Sequence, residues 1–225
     1  HPLRRGEVRQ EGGSREMSSE VKKERVQMDP KYIITLTVTL LITCVVVAGL
    51  LGGVNAITEE KIAAINWENT VVAMKAVVAD PEGTEFSDAL ELTGDMTAAA
   101  EGAGATLDSV YEVLVGGENA GYAIKVVASG SQGSIEMMVG VDGEGAVTGV
   151  SIVSHSETSG IGTKVMGNEA TASGVGVLDQ FQGKSAADGT LAVGSNVDAI
   201  TGATVSTRGV TTGVNAALAV AGAMG

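Results

Sequence analysis

Residues 134–154 read SIEMMVGVDGEGAVTGVSIVS. Two runs rich in Val, Ile and Met flank Val141-Asp142-Gly143-Glu144-Gly145, whose glycines and carboxylates read as a hairpin connection. Residues 110–115 and 121–128, upstream, are further short β-type runs ended by glycine-bearing turns. Three or four adjacent antiparallel strands are expected. Residues 168–182 read as a helix, and residues 205–224 as a final one. Ahead of the strands, Ile57, Ile62, Ile65, Trp67, Val71 and Val72 recur at mixed three- and four-residue intervals, so residues 55–79 read as helical. Asp80-Pro81-Glu82-Gly83 stops that helix with turn chemistry. Residues 84–106 are weak in pattern, and the small-residue stretch 97–105 takes no assignment. The expected body is an α+β domain with a mainly antiparallel sheet and flanking helices.

Composition removes several functional classes. The chain has 32 glycines but no G-X-Y period, which excludes collagen. Its one cysteine, Cys44, permits no internal disulfide and no multi-cysteine zinc or iron–sulfur site. The two histidines, His1 and His155, leave no His-rich metal centre, and no metal is expected. The net charge of −13 is unevenly spread. Residues 1–31 hold eight Lys/Arg against six Asp/Glu, whereas residues 55–225 hold six against 21. A body so acidic has no basic stripe for phosphates, so nucleic acid is excluded as a partner.

From Tyr32 to Val54 no residue is charged. At ~1.5 Å per helical residue this run reaches ~34 Å, enough for a hydrocarbon core of ~30 Å. Thr35, Thr37, Thr39 and Thr43 can bond back to helix carbonyls, so their hydroxyls need not be orphaned. A soluble core helix is rarely uninterrupted for this length. A cleaved signal peptide is the stronger rival, because Val54-Asn55-Ala56 is a passable cleavage site; its apolar region, however, runs only ~7–15 residues. An anchor in membrane lipid is therefore expected. Lys22, Lys23, Arg25 and Lys31 precede it, and Glu59 and Glu60 follow, which places the N-terminus in the cytoplasm by the positive-inside rule. Gly49, Gly52 and Gly53 would permit close contact with another helix. The first 16 residues, ahead of Met17 and Met28, are set aside as an extension or mis-start.

Two motifs carry chemistry. In Asp198-Ala199-Ile200-Thr201-Gly202-Ala203-Thr204-Val205-Ser206, small residues let backbone N–H groups approach an anion, while Thr201, Thr204 and Ser206 offer hydroxyls. An apolar helical pattern begins immediately after, so a phosphate here would meet a helix N-terminus. A Thr/Ser-rich helix cap without a ligand would look similar. In Ser154-His155-Ser156-Glu157-Thr158-Ser159-Gly160-Ile161-Gly162-Thr163-Lys164, a polar glycine-bearing loop follows a strand. Glu157, Thr158 and Lys164 near two glycines could wrap a flat heterocycle; an ordinary strand-to-helix connection is the alternative.

The second motif resembles the H-x-E-T-P-G-L-G loop, and the first the S-G-A-T-x-[ST] signature, of the FMN-binding domain family. The order and the ~45-residue separation are also that family's, and the hairpin of residues 135–154 matches its D-G-x-G-x-V-x-G-V pattern. Residues 31–225 are similar over most of their length to the G subunits of ion-translocating ferredoxin:NAD⁺ oxidoreductase (Rnf) complexes, and more distantly to the C subunits of Na⁺-translocating NADH:quinone oxidoreductases. The resemblance implies FMN joined to Thr204 by a phosphodiester that a flavin transferase installs. Asp198, Thr201, Gly202, Ala203 and Ser206 complete that signature, and Glu157, Thr158, Gly160, Ile161, Gly162 and Lys164 would pack on the flavin. It further implies an electron-transfer subunit of a membrane-bound translocase, incomplete as an enzyme alone and partnered by the other subunits of its complex. The implied division is a cytoplasmic tail (1–31), a transmembrane helix (32–54) and an extracytoplasmic FMN-binding domain (55–225). Thr201 stands where the family has Ser, keeping a hydroxyl; Ser159 and Ile161 replace Pro and Leu, removing a rigid turn.

Other constellations fail. Gly183-Lys184-Ser185 lacks the upstream Gly of a phosphate-binding loop, since position 178 is Leu. His155 has no nucleophile elbow to serve and reads as a loop hydrogen-bonder; Cys44 reads as a lipid- or helix-facing residue. The remaining rivals are the quinone-reducing relative, a tethered non-redox binding protein and a self-sufficient flavin reductase. The binding protein would have no reason to carry both motifs, and the reductase would have no acid or base beyond Glu157.

Overall fold

The uncharged run beginning at Tyr32 lies in an unbroken helix, α1 (Pro30–Ala76), in a computed structural model that describes residues 29–225. Nearly all of the expected cytoplasmic tail, residues 1–28, lies outside the described residues. As expected, Thr35, Thr37, Thr39 and Thr43 each donate to the carbonyl four residues earlier at 2.8 Å. The hydroxyls therefore add no orphan polar group to an apolar surface. Among the described residues α1 is the one helix long and apolar enough to cross a membrane. Cys44 is exposed on it, and among the described residues a Cβ on Gly49, Gly52 or Gly53 would meet nothing within 4 Å beyond the helix itself.

The chain divides into His1–Asn55 and Ala56–Gly225, and the second unit contains the sheet. Strands β1 (Thr84–Phe86), β2 (Thr106–Val115), β3 (Glu118–Ser129), β4 (Ser134–Asp142) and β5 (Val147–His155) form an antiparallel meander in chain order. The expected hairpin joins β4 to β5. There the Asp142 carboxylate accepts the N–H groups of Glu144 and Ala146, both at 2.9 Å, and Gly145 takes the positive φ of +82° that closes the turn. Short β1 at the edge was not legible in the sequence.

Alternating side chains divide the sheet into two buried faces. Ile135, Met137, Val139 and Val141 enter the larger core, whereas Met138 and Ala123 pack with Ala73, Met74 and Val77 at the end of α1. The backbone of Val77, just past the end of α1, comes close here because Gly140 and Gly149 face each other across β4 and β5. A Cβ on Gly149 would stand 3.1 Å from the Val77 Cα. The Thr148 hydroxyl lies where a Cβ on Gly140 would stand, and donates to the Val77 carbonyl at 2.5 Å.

The unassigned stretch 97–105 falls largely in α2 (Gly94–Gly102), begun by Thr93, whose hydroxyl accepts the Met96 N–H at 3.3 Å. Its alanines are small because α2 packs against the final helix, α4 (Thr204–Met224). The helix expected over residues 168–182 does not form. Only α3 (Gly162–Met166) and a 3₁₀ turn at Asp179–Phe181 are helical in this region. Asn168 takes φ of 56° and its side-chain oxygen accepts the N–H groups of Leu178 and Asp179, at 2.7 and 3.3 Å. A side-chain amide thus replaces helical partners, and Val177 and Leu178 reach the core from a coil and Phe181 from the 3₁₀ turn.

Two glycines set how closely α4 lies on the sheet. A Cβ on Gly209 would stand 2.6 Å from the Ser129 carbonyl oxygen, and one on Gly213 would stand 2.5 Å from the Met137 sulfur. In an open helix Gly→Ala gains roughly 1 kcal/mol, but overpacking against backbone costs about 1–3 kcal/mol. Gly209→Ala is accordingly expected to lower stability by up to ~2 kcal/mol, read by urea unfolding; a stabilised variant would show that α4 does not rest on its bare backbone.

Candidate functional site

The two motifs, more than 40 residues apart in sequence, meet where α4 begins. A cleft of about 140 Å³ is lined by Ser131, Glu157, Thr158, Ile161, Gly162, Gly202, Ala203, Thr204, Val205 and Ser206. Three segments build it: the turn between β3 and β4, the loop after β5, and the turn entering α4. Eight of the twelve anticipated residues line this cleft: Glu157, Thr158, Ile161, Gly162, Gly202, Ala203, Thr204 and Ser206. Asp198, Thr201, Gly160 and Lys164 do not line it.

The start of α4 separates the anion-site reading from that of a simple cap. Its N-cap residue is Ala203, which has no hydroxyl to offer, and no side chain caps this end. Among the described residues the N–H groups of Thr204, Val205 and Ser206 have no acceptor. Open N–H groups and the helix dipole favour negative charge at this point. Gly202, at φ of +84°, turns the chain into the helix.

The three hydroxyls of this motif are in different states. Ser206 is 2% exposed and donates to the Glu157 carboxylate. Thr201 lies exposed in the preceding turn. Thr204, the first helical residue, is half-buried, and among the described residues nothing hydrogen-bonds its hydroxyl. Of these three, Thr204 alone combines a hydroxyl without a hydrogen bond among the described residues with a place in the cleft. Next to it Val205, unremarked in the sequence, is half exposed, as is Ile161 across the cleft. Together they give the rim an apolar character.

Loss of the rigid turn at Ser159 is made good by other bonds. The Thr158 carbonyl accepts the N–H groups of Ile161 and Thr163, each at 3.3 Å, and the Gly160 N–H donates to the Thr163 hydroxyl at 2.8 Å. His155 is a loop hydrogen-bonder, as expected: its Nδ1 accepts the Glu157 N–H at 3.2 Å.

Glu157 is 7% exposed. Besides the Ser206 hydroxyl, its carboxylate accepts the N–H groups of Ser131 and Gln132, at 2.8 and 3.1 Å. Burial pushes its pKa up, but these three hydrogen bonds and the nearby His155 together outweigh burial and hold it below its ordinary value. Ser131 and Gln132 were missed by sequence reasoning, because a Gly-Ser-Gln-Gly turn gives no sign that its N–H groups will face a carboxylate. Gln180 was missed as well. Its amide accepts the Asp198 N–H at 2.7 Å and donates to the Asp198 carbonyl at 2.8 Å, so the stretch before the Thr motif is held by its backbone. The Asp198 side chain is left exposed.

Size alone does not mark this site. A larger depression, about 610 Å³, lies between α2, a 3₁₀ turn at Ala186–Asp188 and the later part of α4. Its lining holds no titratable side chain and none of the motif residues.

Residues 130–219 match the FMN-binding domain family. The chain is 34% identical over 209 residues to the G subunit of the Na⁺-translocating ferredoxin:NAD⁺ oxidoreductase complex of Acetobacterium woodii, covering 88% of this chain and 96% of that protein. The chain belongs to the G-subunit family of ion-translocating oxidoreductase complexes. The G subunits of the ion-translocating oxidoreductase complexes of Methanosarcina acetivorans (28% identical, 84% of this chain and 95% of that protein) and Stutzerimonas stutzeri (30%, 81% and 77%) are also similar. The family match begins at Gly130 and ends inside α4, so it takes in every residue that lines the cleft of this G-subunit homologue.

Because the folded pKa of Glu157 lies below the ordinary 4.5, its ionised form adds stability that is fully present above that value. This contribution is lost as pH falls toward the folded pKa. Unfolding free energies measured from pH 7 down to pH 3 should fall less steeply in Glu157→Gln than in the wild type. Parallel curves would mean that this carboxylate is not held ionised by folding.

Proposed function

We propose that this chain carries one FMN joined covalently to Thr204 and acts as an electron-transfer subunit of a membrane-bound ion-translocating ferredoxin:NAD⁺ oxidoreductase. The observation that carries this reading is the free Thr204 hydroxyl at an uncapped helix start, inside a cleft walled by the second motif. The residues fit the group. Thr204 would bear the phosphate ester, and the open N–H groups of the first turn of α4 would face its anionic oxygens. Thr158, Ile161, Gly162 and Val205 offer a mixed polar and apolar wall to a flat heterocycle. FMN, when bound, supplies the one- and two-electron chemistry; the chain supplies position and electrostatics. Lys164, Thr201, Gly160 and Asp198 are second contributors at most, since none of them lines the cleft.

In this reading residues 32–54 cross the membrane, with residues 1–31 cytoplasmic and residues 55–225 outside. The support is charge: Lys22, Lys23, Arg25 and Lys31 precede the span, and Glu59 and Glu60 follow it. A covalent tether suits an extracytoplasmic cofactor that could not readily be replaced once lost. The partners are the other subunits of the complex, membrane lipid around α1, and a flavin transferase during maturation.

Thr204→Val is expected to abolish covalent flavin, read as the absence of the mass of one FMN less one water, after expression with an active flavin transferase. Stability should change by no more than about 0.5 kcal/mol, because a half-buried, unbonded hydroxyl contributes little. Retained flavin would overturn the assignment, and gross unfolding would make Thr204 structural. Replacing Gly49, Gly52 and Gly53 with Leu should release this subunit from its complex, read by affinity purification of a partner subunit. An intact complex would leave α1 as an anchor only.

A further inference from the structure

Among the described residues Glu157 is the one charged side chain that is buried. Its surroundings are built around it. One carboxylate oxygen accepts from the Ser131 and Gln132 N–H groups, and the other from the Ser206 hydroxyl. A Cβ on Gly130 would collide with the first oxygen, and one on Gly162 would stand 2.7 Å from the second. Bare backbone at both positions is therefore what admits the carboxylate. Three donors on two oxygens leave little capacity for a ligand, although Glu157 lines the cleft.

We propose that Glu157 is a positioning residue, which clamps the loop after β5, the turn between β3 and β4 and the first turn of α4 into one rigid cleft, and so sets how the flavin on Thr204 is held. This rests on the reading of Thr204 given above. The clamp acts on the cofactor through other residues. Pulling Ser206 inward consumes the hydroxyl two residues beyond Thr204, and fixing Thr158 through Gly162 sets the wall opposite Thr204. The chemistry calls for a carboxylate. All three partners donate, and a carboxylate accepts from all of them without supplying a proton. A glutamine keeps the two N–H bonds through its oxygen and obliges the Ser206 hydroxyl to turn round, so it retains part of the clamp. Alanine retains none.

A general structural role and a positioning role make different demands on the flavin. In the full-length chain purified after expression with a flavin transferase, Glu157→Ala should keep FMN on Thr204 by intact mass. The visible circular dichroism of its flavin and its midpoint potential should both shift, and Glu157→Gln should restore part of each. Amide hydrogen exchange at Ser131 and Gln132 should rise about tenfold in Glu157→Ala, in flavinylated and unflavinylated protein alike. Folded Glu157→Ala with unchanged dichroism and potential would overturn the proposal, as would unchanged exchange at the two amides. If Glu157→Ala does not fold, Ser206→Ala removes a single donor and should produce smaller shifts of the same sign; an unshifted flavin there would equally overturn it. Absence of flavin from wild-type protein would instead sink the Thr204 reading, while the exchange measurement on the unflavinylated chain would still decide the clamp.

Discussion

The site depends on α4 lying directly on the sheet. Gly209 and Gly213 put bare helix backbone against the Ser129 carbonyl and the Met137 side chain, so at these two positions α4 places no side chain of its own between itself and β3 and β4. That approach brings the start of α4 beside the turn between β3 and β4 and within hydrogen-bond reach of Glu157. The same strategy recurs on the other face, where Gly140 and Gly149 admit the end of α1. A chain with 32 glycines and few aromatics packs by close backbone approach more than by large interlocking side chains.

Electrostatics at the start of α4 follow from that geometry. An uncapped helix start would ordinarily be a small liability, with orphan N–H groups to satisfy. Here the nearest protein anion, Glu157, is already committed to Ser206, Ser131 and Gln132. The N–H groups of Thr204, Val205 and Ser206 remain available to a second anion, and a half-buried hydroxyl stands among them. The arrangement separates two hydroxyls that the sequence placed side by side: Ser206 is bonded to Glu157, and Thr204, two residues earlier, has no hydrogen bond among the described residues.

Much of this was legible in the sequence because the signals were local. The β4–β5 hairpin, the apolar run of α1 and the 205–224 helix each have their own period or turn residues. The two motifs also announced themselves, and eight of their twelve residues share one cleft. What stayed hidden was non-local. Residues 168–182 carry Val177, Leu178 and Phe181 at spacings that suit a helix, but Asn168 takes over the N–H groups and fixes a coil. The alanines of α2 have no periodic contrast until α4 is present to pack against them. Ser131 and Gln132 act through their own N–H groups on a carboxylate far away in sequence, and Gln180 acts on the distant backbone of Asp198, which no spacing rule can show.

One hydroxyl of the three differs from the others in its surroundings, and localising the modification decides whether that hydroxyl carries the flavin. Cleavage after Lys184 and Arg208 yields a single peptide, residues 185–208, that contains Thr201, Thr204 and Ser206. Fragmentation of that peptide from flavinylated wild-type protein should place the whole added mass of FMN on Thr204, with Thr201 and Ser206 unmodified. FMN on Thr201 or Ser206, or a peptide without any added mass after exposure to an active transferase, would rule out Thr204 as the attachment residue.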